Sequence, residues 1–231
     1  MGLSDDLKKE VKEIFAQQWT IRDGNVIPDN DDIKLSNDGV KLEATVLYTD
    51  LAESTKLVDS KKSSFAAEVY KAFLRSACKI ISDCGGEITA FDGDRVMGVF
   101  IGGTKNTSAV RAALRINYAV LHIVNPALRN QYTSSDYVIQ HGTGVDCSDI
   151  LVTRSGIRGS NDLVWIGPAA NYAAKLSALR SDGYSTWISQ AVFNKIRDEM
   201  KYDSQRKLMW ESRTWTQCNQ TIYRSNYYQS F

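Results

Sequence analysis

The 231-residue sequence predicts an α+β fold, in which an antiparallel or mixed sheet carries helices on one face. The spacing of apolar residues switches repeatedly between a period of two and a period of about 3.6, so strands and helices alternate along the chain. Asp92-Gly93, between two apolar runs, is a strong hairpin signal. The resulting order is β-α-β-β-α-β with later additions, and we expect the second face of the sheet to stay free.

Composition and charge exclude several classes of protein. The formal net charge is +1 and 43% of the residues are hydrophobic. A nucleic-acid polymer is not an expected partner, because tracking a phosphate backbone requires clustered Lys and Arg. The four cysteines contain no C-x-x-C pair, which favours reduced thiols over disulfides or zinc. No run approaches the ~18 to 20 apolar residues of a membrane span, and no signal peptide is recognisable, so we expect a cytoplasmic protein.

An amphipathic helix is predicted over residues 4–19, with Ser4 as its N-cap and two aspartates in its first turn. Its apolar stripe must cover something: either it packs on the chain's own domain, or it pairs with a second copy or another partner. A polar, turn-rich segment follows at residues 22–39. We therefore expect residues 1–39 to form a separate helix and linker, and residues 40–231 to form the main domain.

A strand is predicted over residues 42–51, where apolar residues alternate with a period of two. Tyr48 and Asp50 share one face of this strand, roughly 7 Å apart. A group that reaches from Asp50 toward the sheet can therefore meet the tyrosine ring. The simpler interpretation, that Tyr48 is present because tyrosine favours strands, stays open at this point.

The segment after this strand predicts a helix over residues 64–84 and then a hairpin, with strands at residues 87–91 and 94–100. Asp94 is thereby placed at the tip of the hairpin.

The rest of the chain alternates helices and strands. A helix over residues 106–124 is expected to stop at Pro126, and a mobile, glycine-containing loop is expected between residues 150 and 160. The remaining predicted elements are strands at residues 137–144, 162–167 and 184–188, helices that begin at Pro168 and after the cap Ser189, and a final hairpin of residues 207–214 and 221–227.

Two aspartates stand out as candidate ligands. Asp50 and Asp94 each lie where an apolar strand gives way to a turn, and a carboxylate there is costly to desolvate unless a cation meets it. Paired carboxylates favour Mg²⁺ or Mn²⁺ over zinc, and two ions about 4 Å apart are typical of phosphoryl chemistry. The turn after Asp50 can offer N–H groups and the Thr55 hydroxyl to phosphate oxygens. Aspartates at strand ends are also plain turn formers, and the residues alone leave that alternative open.

Three stretches resemble the catalytic domain of class III nucleotidyl cyclases. They are LYTDLAEST at residues 47–55, ITAFDGDRVMGVF at residues 88–100 and VWIGPAANYAAKL at residues 164–176. They occur in the order found in that family, and the similarity extends over roughly residues 42–227. The resemblance implies the ferredoxin-like, palm-type fold of these enzymes.

The same resemblance implies roles for single residues. Asp50 and Asp94, with the backbone of Leu51, match the positions that bind two divalent cations per site, Mn²⁺ or Mg²⁺. Asn171 matches the asparagine that orients the ribose, and Lys175 stands where the family usually has an arginine that stabilises the reacting phosphate. Members of the family are head-to-tail homodimers. The resemblance therefore implies composite sites, with the aspartates from one chain and Asn171 and Lys175 from the other.

Departures from the purine-specific members concern the base. Ala90 and Val164 fall where those cyclases carry the side chains that read a purine, while Tyr48 and Arg95 replace an apolar aromatic and a small residue. With the N-terminal helix, this pattern is similar to that of the pyrimidine cyclases of Pycsar antiphage defence systems. Tyr48 and Arg95 are then candidates for contacts to the base; the alternative for Arg95 is a solvated strand charge.

That similarity implies a reaction and its partners. The substrate is expected to be UTP, or alternatively CTP, and the products the 3′,5′-cyclic monophosphate and pyrophosphate, with a separate effector protein that reads the messenger. Two other expectations stay open: an adenylate cyclase with unusual base contacts, and a catalytically silent module with a cyclase-like fold.

Overall fold

The computed structural model describes residues 2–179 and 183–231 and contains a mixed sheet with helices on both faces. The helices are α1 (Leu3–Ala16), α2 (Ser54–Ser60), α3 (Ser63–Asp83), α4 (Lys105–Ala119), α5 (Asn125–Gln131), α6 (Pro168–Ser177) and α7 (Gln190–Lys195). The strands are β1 (Thr20–Asp23), β2 (Asp38–Leu51), β3 (Glu87–Asp92), β4 (Arg95–Phe100), β5 (His141–Ile157), β6 (Ser160–Ile166), β7 (Thr186–Ser189), β8 (Glu211–Trp215) and β9 (Gln220–Ser225).

The strand order is β3-β4-β2-β5-β7-β9-β8, with β1 added beside β2 and β6 beside β5. The pairs β1/β2 and β5/β7 are parallel and the remaining pairs are antiparallel. The expected α+β fold with a mixed sheet is therefore confirmed. The strand that leads to Asp50, β2, lies between β4 and β5 in the middle of the sheet.

The main core lies on the face covered by α3, α4 and α7. Phe73 of α3 is completely buried there, against Leu47 and Leu51 of β2 and residues of α4. Because fully burying one such side chain contributes about 1.5–3 kcal/mol, this face supplies much of the stability.

The second face is not free, and that expectation is wrong. Ala169 and Ala173 of α6 pack against Val46 of β2 in a separate buried cluster. The physical reason lies in β5, where glycines let the helix backbone rest on the strand: a Cβ at Gly144 would lie 2.1 Å from the Ala173 carbonyl oxygen, and one at Gly142 as close to Ser177.

The N-terminal segment differs from the expectation in two respects. Ser4 lies inside α1, and Gly2 occupies the N-cap position without a side-chain cap bond. Residues 20–23 of the expected linker form β1, which pairs in parallel with β2. No residue of α1 is buried, and the Asn37 side chain holds the end of the helix by donating hydrogen bonds to the Ile14 and Gln17 carbonyls, both at 2.8 Å. The division of the chain at residue 39 stays a prediction.

The helix expected to stop at Pro126 does not stop there. A π-helical turn at Val120–Val124 connects α4 directly to α5, which begins at Asn125 and has Pro126 in its first turn. A proline is tolerated in a first turn because it has no N–H to offer, and the wider π turn shifts the hydrogen-bond register before it.

The prediction of a loop between residues 150 and 160 is also wrong. β5 continues to Ile157 and β6 begins at Ser160, so this region is a long hairpin.

Residues 137–140 of the strand expected at 137–144 lie outside β5. The short helix α2 was not predicted, because its sequence lacks an apolar stripe. In the structure only Leu57 of this helix is buried. The cap at Ser189 is confirmed, with its hydroxyl accepting the Val192 N–H at 3.3 Å.

Across the described ranges, 2–179 and 183–231, each helix is either too short or too polar to serve as a membrane span.

Candidate active site

The two candidate metal ligands lie at the same end of neighbouring strands. Asp50 is the penultimate residue of β2, and strand pairing places its Cα opposite that of Arg95 on β4. Asp94 directly precedes Arg95, in the turn that Gly93 begins with a φ of 62°. A glycine accepts this left-handed conformation without strain, which explains why the hairpin turns here. The fold therefore places Asp50 and Asp94 at the same end of the sheet.

The carboxylate of Asp94 has an unsatisfied oxygen. Its Oδ2 is buried and has no hydrogen-bond partner among the described residues. Burying an acceptor in this way is costly and is uncommon unless another group completes the site. A divalent cation with oxygen ligands would do so, so Asp94 fits the expected Mg²⁺ or Mn²⁺. Among the described residues, no group of three or more His, Cys, Asp or Glu side chains could hold a metal ion, so the expected site relies on two carboxylates.

The candidate base-contacting residues form one row across three strands. Ala90 of β3 pairs with Met97 of β4, and Met97 pairs with Tyr48 of β2. Residues directly opposite each other on paired strands project from the same face, and all three belong to the cluster on the α6 side of the sheet. The structure therefore brings Tyr48 and Ala90 together, with Met97 between them.

A β-bulge decides which residue of β3 takes part in this row. Ile88 pairs with Gly98 and Ala90 with Met97, which leaves Thr89 without a partner on β4. Bulges of this kind commonly redirect a side chain near an active site. The Thr89 hydroxyl is buried without a hydrogen-bond partner among the described residues, a feature that sequence reasoning missed because a bulge has no reliable local signal.

Arg95 projects from the same face as Tyr48, because it lies two residues before Met97 on β4. Its Nη2 donates a hydrogen bond of 2.6 Å to Oδ2 of Asp92, across the turn. Asp92 was not among the expected site residues, although its position opposite Arg95 in the hairpin was a usable signal.

The environment of Tyr48 keeps its phenol protonated. Partial burial raises the pKa of the hydroxyl, the nearby Arg95 guanidinium opposes that effect, and the Asp92 carboxylate adds to it. At neutral pH the phenol is therefore neutral and can donate a hydrogen bond.

The turn after Leu51 borders a cavity with a charged lining that the sequence reasoning did not single out, in which Lys56 pairs with Glu53 and Lys61 with Asp136. A cavity of about 380 Å³ borders this turn, and its lining includes Ala52, Glu53, Lys56 and Lys61. Lys56 lies 3.5 Å from Glu53, whose φ of 54° begins α2. Thr55 is exposed in the first turn of that helix.

The remaining expected residues lie away from this row. Asn171 and Lys175 are four residues apart on the exposed side of α6, whose alanines face the sheet. Val164 of β6 is exposed and projects from the opposite side of its strand to Trp165, which packs in the cluster shared with Tyr48. A single chain therefore does not bring Val164 to the face that carries Tyr48.

Solved structures identify the class of fold. A bacterial light-regulated adenylyl cyclase superposes with a TM-score of 0.68 at 20% identity, over 84% of this chain and 54% of that one. The guanylyl cyclase Cya2 gives 0.68 at 16% identity, over 83% and 95% of the two chains. The adenylyl cyclase CyaB from P. aeruginosa gives 0.64 at 20% identity, over 80% and 94%. The fold is that of the class III nucleotide cyclases.

Sequence relatives identify the family within that class. A uridylate cyclase from Xanthomonas perforans is 46% identical over 229 residues, which cover 98% of each chain. One from Burkholderia cepacia is 49% identical over 217 residues and 93% of each, and one from Rhodovulum sp. (strain MB263) is 38% identical over 235 residues, covering 99% of this chain and 98% of its own. The chain belongs to the uridylate cyclase family and is a nucleotide cyclase. No family model matches the sequence.

Proposed function

We propose that this enzyme converts UTP to 3′,5′-cyclic UMP and pyrophosphate. The observation that carries the proposal is the row formed by Tyr48, Met97 and Ala90, directly beside the strand ends that hold Asp50 and Asp94. The row offers an aromatic ring and a small side chain where a purine would need polar partners. The relatives named uridylate cyclase support the same substrate.

The preference for uracil over cytosine follows from the donors on this face. The Arg95 guanidinium can only donate hydrogen bonds, and the neutral Tyr48 hydroxyl can donate one. Uracil presents a carbonyl oxygen at the position where cytosine presents an amino group, so the guanidinium, which only donates, matches uracil and would face the cytosine amino group donor to donor. Ala90 and Val164 add no polar group that would read a purine edge. Hydrogen-bonding sites reject mismatched ligands more strongly than apolar pockets do.

The reaction removes the proton of the ribose 3′-hydroxyl, joins its oxygen to the α-phosphorus, and breaks the bond between the α-phosphorus and the oxygen that bridges to the β-phosphate, so pyrophosphate leaves. When bound at Asp50, Asp94 and the Leu51 backbone, two Mg²⁺ or Mn²⁺ ions would supply the charge that makes the 3′-hydroxyl a better nucleophile and neutralises the triphosphate. Thr55 offers a hydroxyl to phosphate oxygens in the adjacent turn. Lys175 stabilises the charge that develops on the phosphate, as a point charge in place of the forked arginine.

The second half of the site comes from another copy of the chain. Asn171 and Lys175 lie on the exposed side of α6. In a head-to-tail homodimer with composite sites, they would lie next to the two aspartates of the partner subunit. Asn171 then orients the ribose. We further propose that residues 1–39 form an accessory helix and linker to a catalytic domain of residues 40–231. On this view a cytoplasmic product serves as a messenger in antiphage defence and is read by a separate effector protein.

The test is a side-by-side assay of UTP, CTP, ATP and GTP with Mn²⁺ for the wild-type enzyme and for Tyr48→Phe. UTP should give cyclic UMP and the fastest turnover, and loss of one hydrogen bond should reduce the preference for UTP over CTP by about tenfold. Preferential turnover of CTP would replace the proposal with a cytidylate cyclase, and preferential turnover of ATP with an adenylate cyclase. Intact nucleotide binding without product from any triphosphate would indicate a silent module.

A further inference from the structure

The bulge in β3 places two consecutive side chains on one face of the sheet. Ile88 packs against the core under α3, whereas Ala90 packs in the cluster on the α6 side. Because side chains alternate along a regular strand, counting from Ile88 places Thr89 on the α6 side as well. A bulge has this effect, since two of its residues lie opposite one residue of the partner strand. Thr89 and Ala90 therefore both project from the face that carries Tyr48.

The hydroxyl of Thr89 has no bonding partner within the described chain. Its Oγ1 is buried and neither donates nor accepts a hydrogen bond there. This arrangement is costly, because the hydroxyl has lost water without gaining another partner. Thr89 as a whole remains partly exposed, so a molecule that lies on this face can reach the residue. A ligand with hydrogen-bonding groups would complete the bonding of the hydroxyl.

The position of Thr89 along the hairpin fits the base of a nucleotide. Three residues separate Thr89 from Asp92, the last residue of β3, so Thr89 lies roughly 10 Å from the turn that carries Asp94. This length is comparable with the separation between the base edge and the α-phosphate of a nucleotide. The edge of uracil carries two carbonyl oxygens and one N–H, and a hydroxyl can both donate and accept. Thr89 can therefore bond either kind of group by rotating its hydroxyl hydrogen.

From this geometry we infer that Thr89 is a base-contacting residue, whose hydroxyl bonds the polar edge of the bound uracil. The inference rests on the proposed function, in which the row of Tyr48 and Ala90 faces the base. It adds a polar group of β3 to a face that lacks the side chains for reading a purine. The same hydroxyl lowers the stability of the free enzyme and strengthens substrate binding.

The test is Thr89→Val, which keeps the branched shape of the side chain and removes only the hydroxyl. The KM for UTP should rise by about five- to tenfold with kcat within about twofold of wild type, because the bond is present in both the substrate complex and the transition state. The melting temperature of the nucleotide-free enzyme should not fall, since no bond is lost there. Thr89→Ser retains a hydroxyl and should keep the KM within about twofold of wild type.

Two controls separate a base contact from a structural role. Thr45→Val makes the same chemical change on the other face of the sheet, where Oγ1 of Thr45 donates a hydrogen bond of 3.0 Å to Oδ1 of Asn106. It should lower the melting temperature by about 3–6 °C and leave the KM for UTP unchanged. The second control is inorganic tripolyphosphate, a competitive inhibitor without a base. Its inhibition constant should be the same for wild type and Thr89→Val.

Three results would overturn the inference: an unchanged KM in Thr89→Val, a Thr89→Ser variant as weak as Thr89→Val, or an equal loss of affinity for tripolyphosphate. Failure of the proposed function has a different signature, because it appears in the wild-type enzyme as preferential turnover of another triphosphate. The Thr89 variants are then compared by their KM for that triphosphate, and an unchanged KM again overturns the base contact.

Discussion

On the face of β2 that meets α3 and α4, Leu47 and Leu51 are sealed by large apolar side chains such as Phe73. On the opposite face, Val46 lies under the alanines of α6, and Tyr48, two residues further along the strand, is only partly buried. Neighbouring residues of one strand therefore have different roles: one face is packed for stability, while the other carries the partly buried Tyr48 close to the strand end where Asp50 lies. Substitutions on the two faces should separate the loss of activity from the loss of stability.

The largest expected effect is on catalysis, from Asp94→Asn. The substitution keeps the shape of the side chain but removes the charge that a divalent cation needs, so turnover should fall by at least about a thousandfold. The melting temperature should stay within about 2 °C of wild type, because Oδ2 of Asp94 makes no hydrogen bond within the described chain that could be lost. Initial rates and calorimetry test both statements. Substantial residual turnover would contradict the metal assignment.

Phe73→Ala should show the reverse behaviour. Phe73 is 0% exposed in the core under α3, and emptying such a site costs about 3–5 kcal/mol in the free energy of unfolding. Urea denaturation measures the loss, and the rate per folded molecule at low temperature should remain near wild type. A specific loss of turnover in protein that is still folded would mean that the two faces are coupled more closely than their packing suggests.

The packed face should also give the protein a dependence on pH. Burial against Phe73 and the strand lowers the pKa of His141 to about 4 from its ordinary 6.5. The unfolded chain binds this proton as the pH falls below about 6.5, whereas the folded chain does not until about 4. The free energy of unfolding should therefore fall by about 3 kcal/mol as the pH decreases through that window.

Two variants isolate this contribution. The sequence has two histidines, and His122 is exposed. His141→Leu should remove most of the difference between the unfolding free energies at pH 6.5 and pH 4, whereas His122→Gln should leave it in place. Equal slopes for the two variants would show that His141 does not titrate as its burial requires.

The smallest of these effects concerns the contact between α6 and the sheet. A Cβ at Gly144 would meet the Ala173 backbone at 2.1 Å, so Gly144→Ala should displace α6 and lower the free energy of unfolding by about 1–3 kcal/mol. Gly103→Ala is the control, because a Cβ there has no heavy atom within 4 Å, and its effect should be within about 0.5 kcal/mol. Turnover should fall in Gly144→Ala only, since α6 carries Asn171. Equal stability of the two variants would show that the close contact is easily relieved.

Much of the site was accessible from local patterns. A period of two placed Tyr48 and Asp50 on one face, and the turn signal Asp92-Gly93 placed Asp94 at a hairpin tip. The structure retains both features. Predictions failed where a short-range sequence signal was overridden by the structure of neighbouring segments. Pro126 ends an isolated helix, yet here the preceding π turn lets the helical path continue. The glycine-containing stretch at residues 150–160 looked like a loop, yet strand pairing extends through it.

The sequence by itself determined the family, the α+β class and the two carboxylates at strand ends, because each depends on residue types at short, fixed spacings. Only the tertiary structure decided that α6 closes the second face, that a bulge at Thr89 puts Ala90 level with Tyr48, and that Arg95 turns toward Asp92. Those outcomes depend on close approach between segments distant in sequence, or on one unpaired residue in a ladder. The free energy of such contacts is set by the packed neighbours rather than by the local chain.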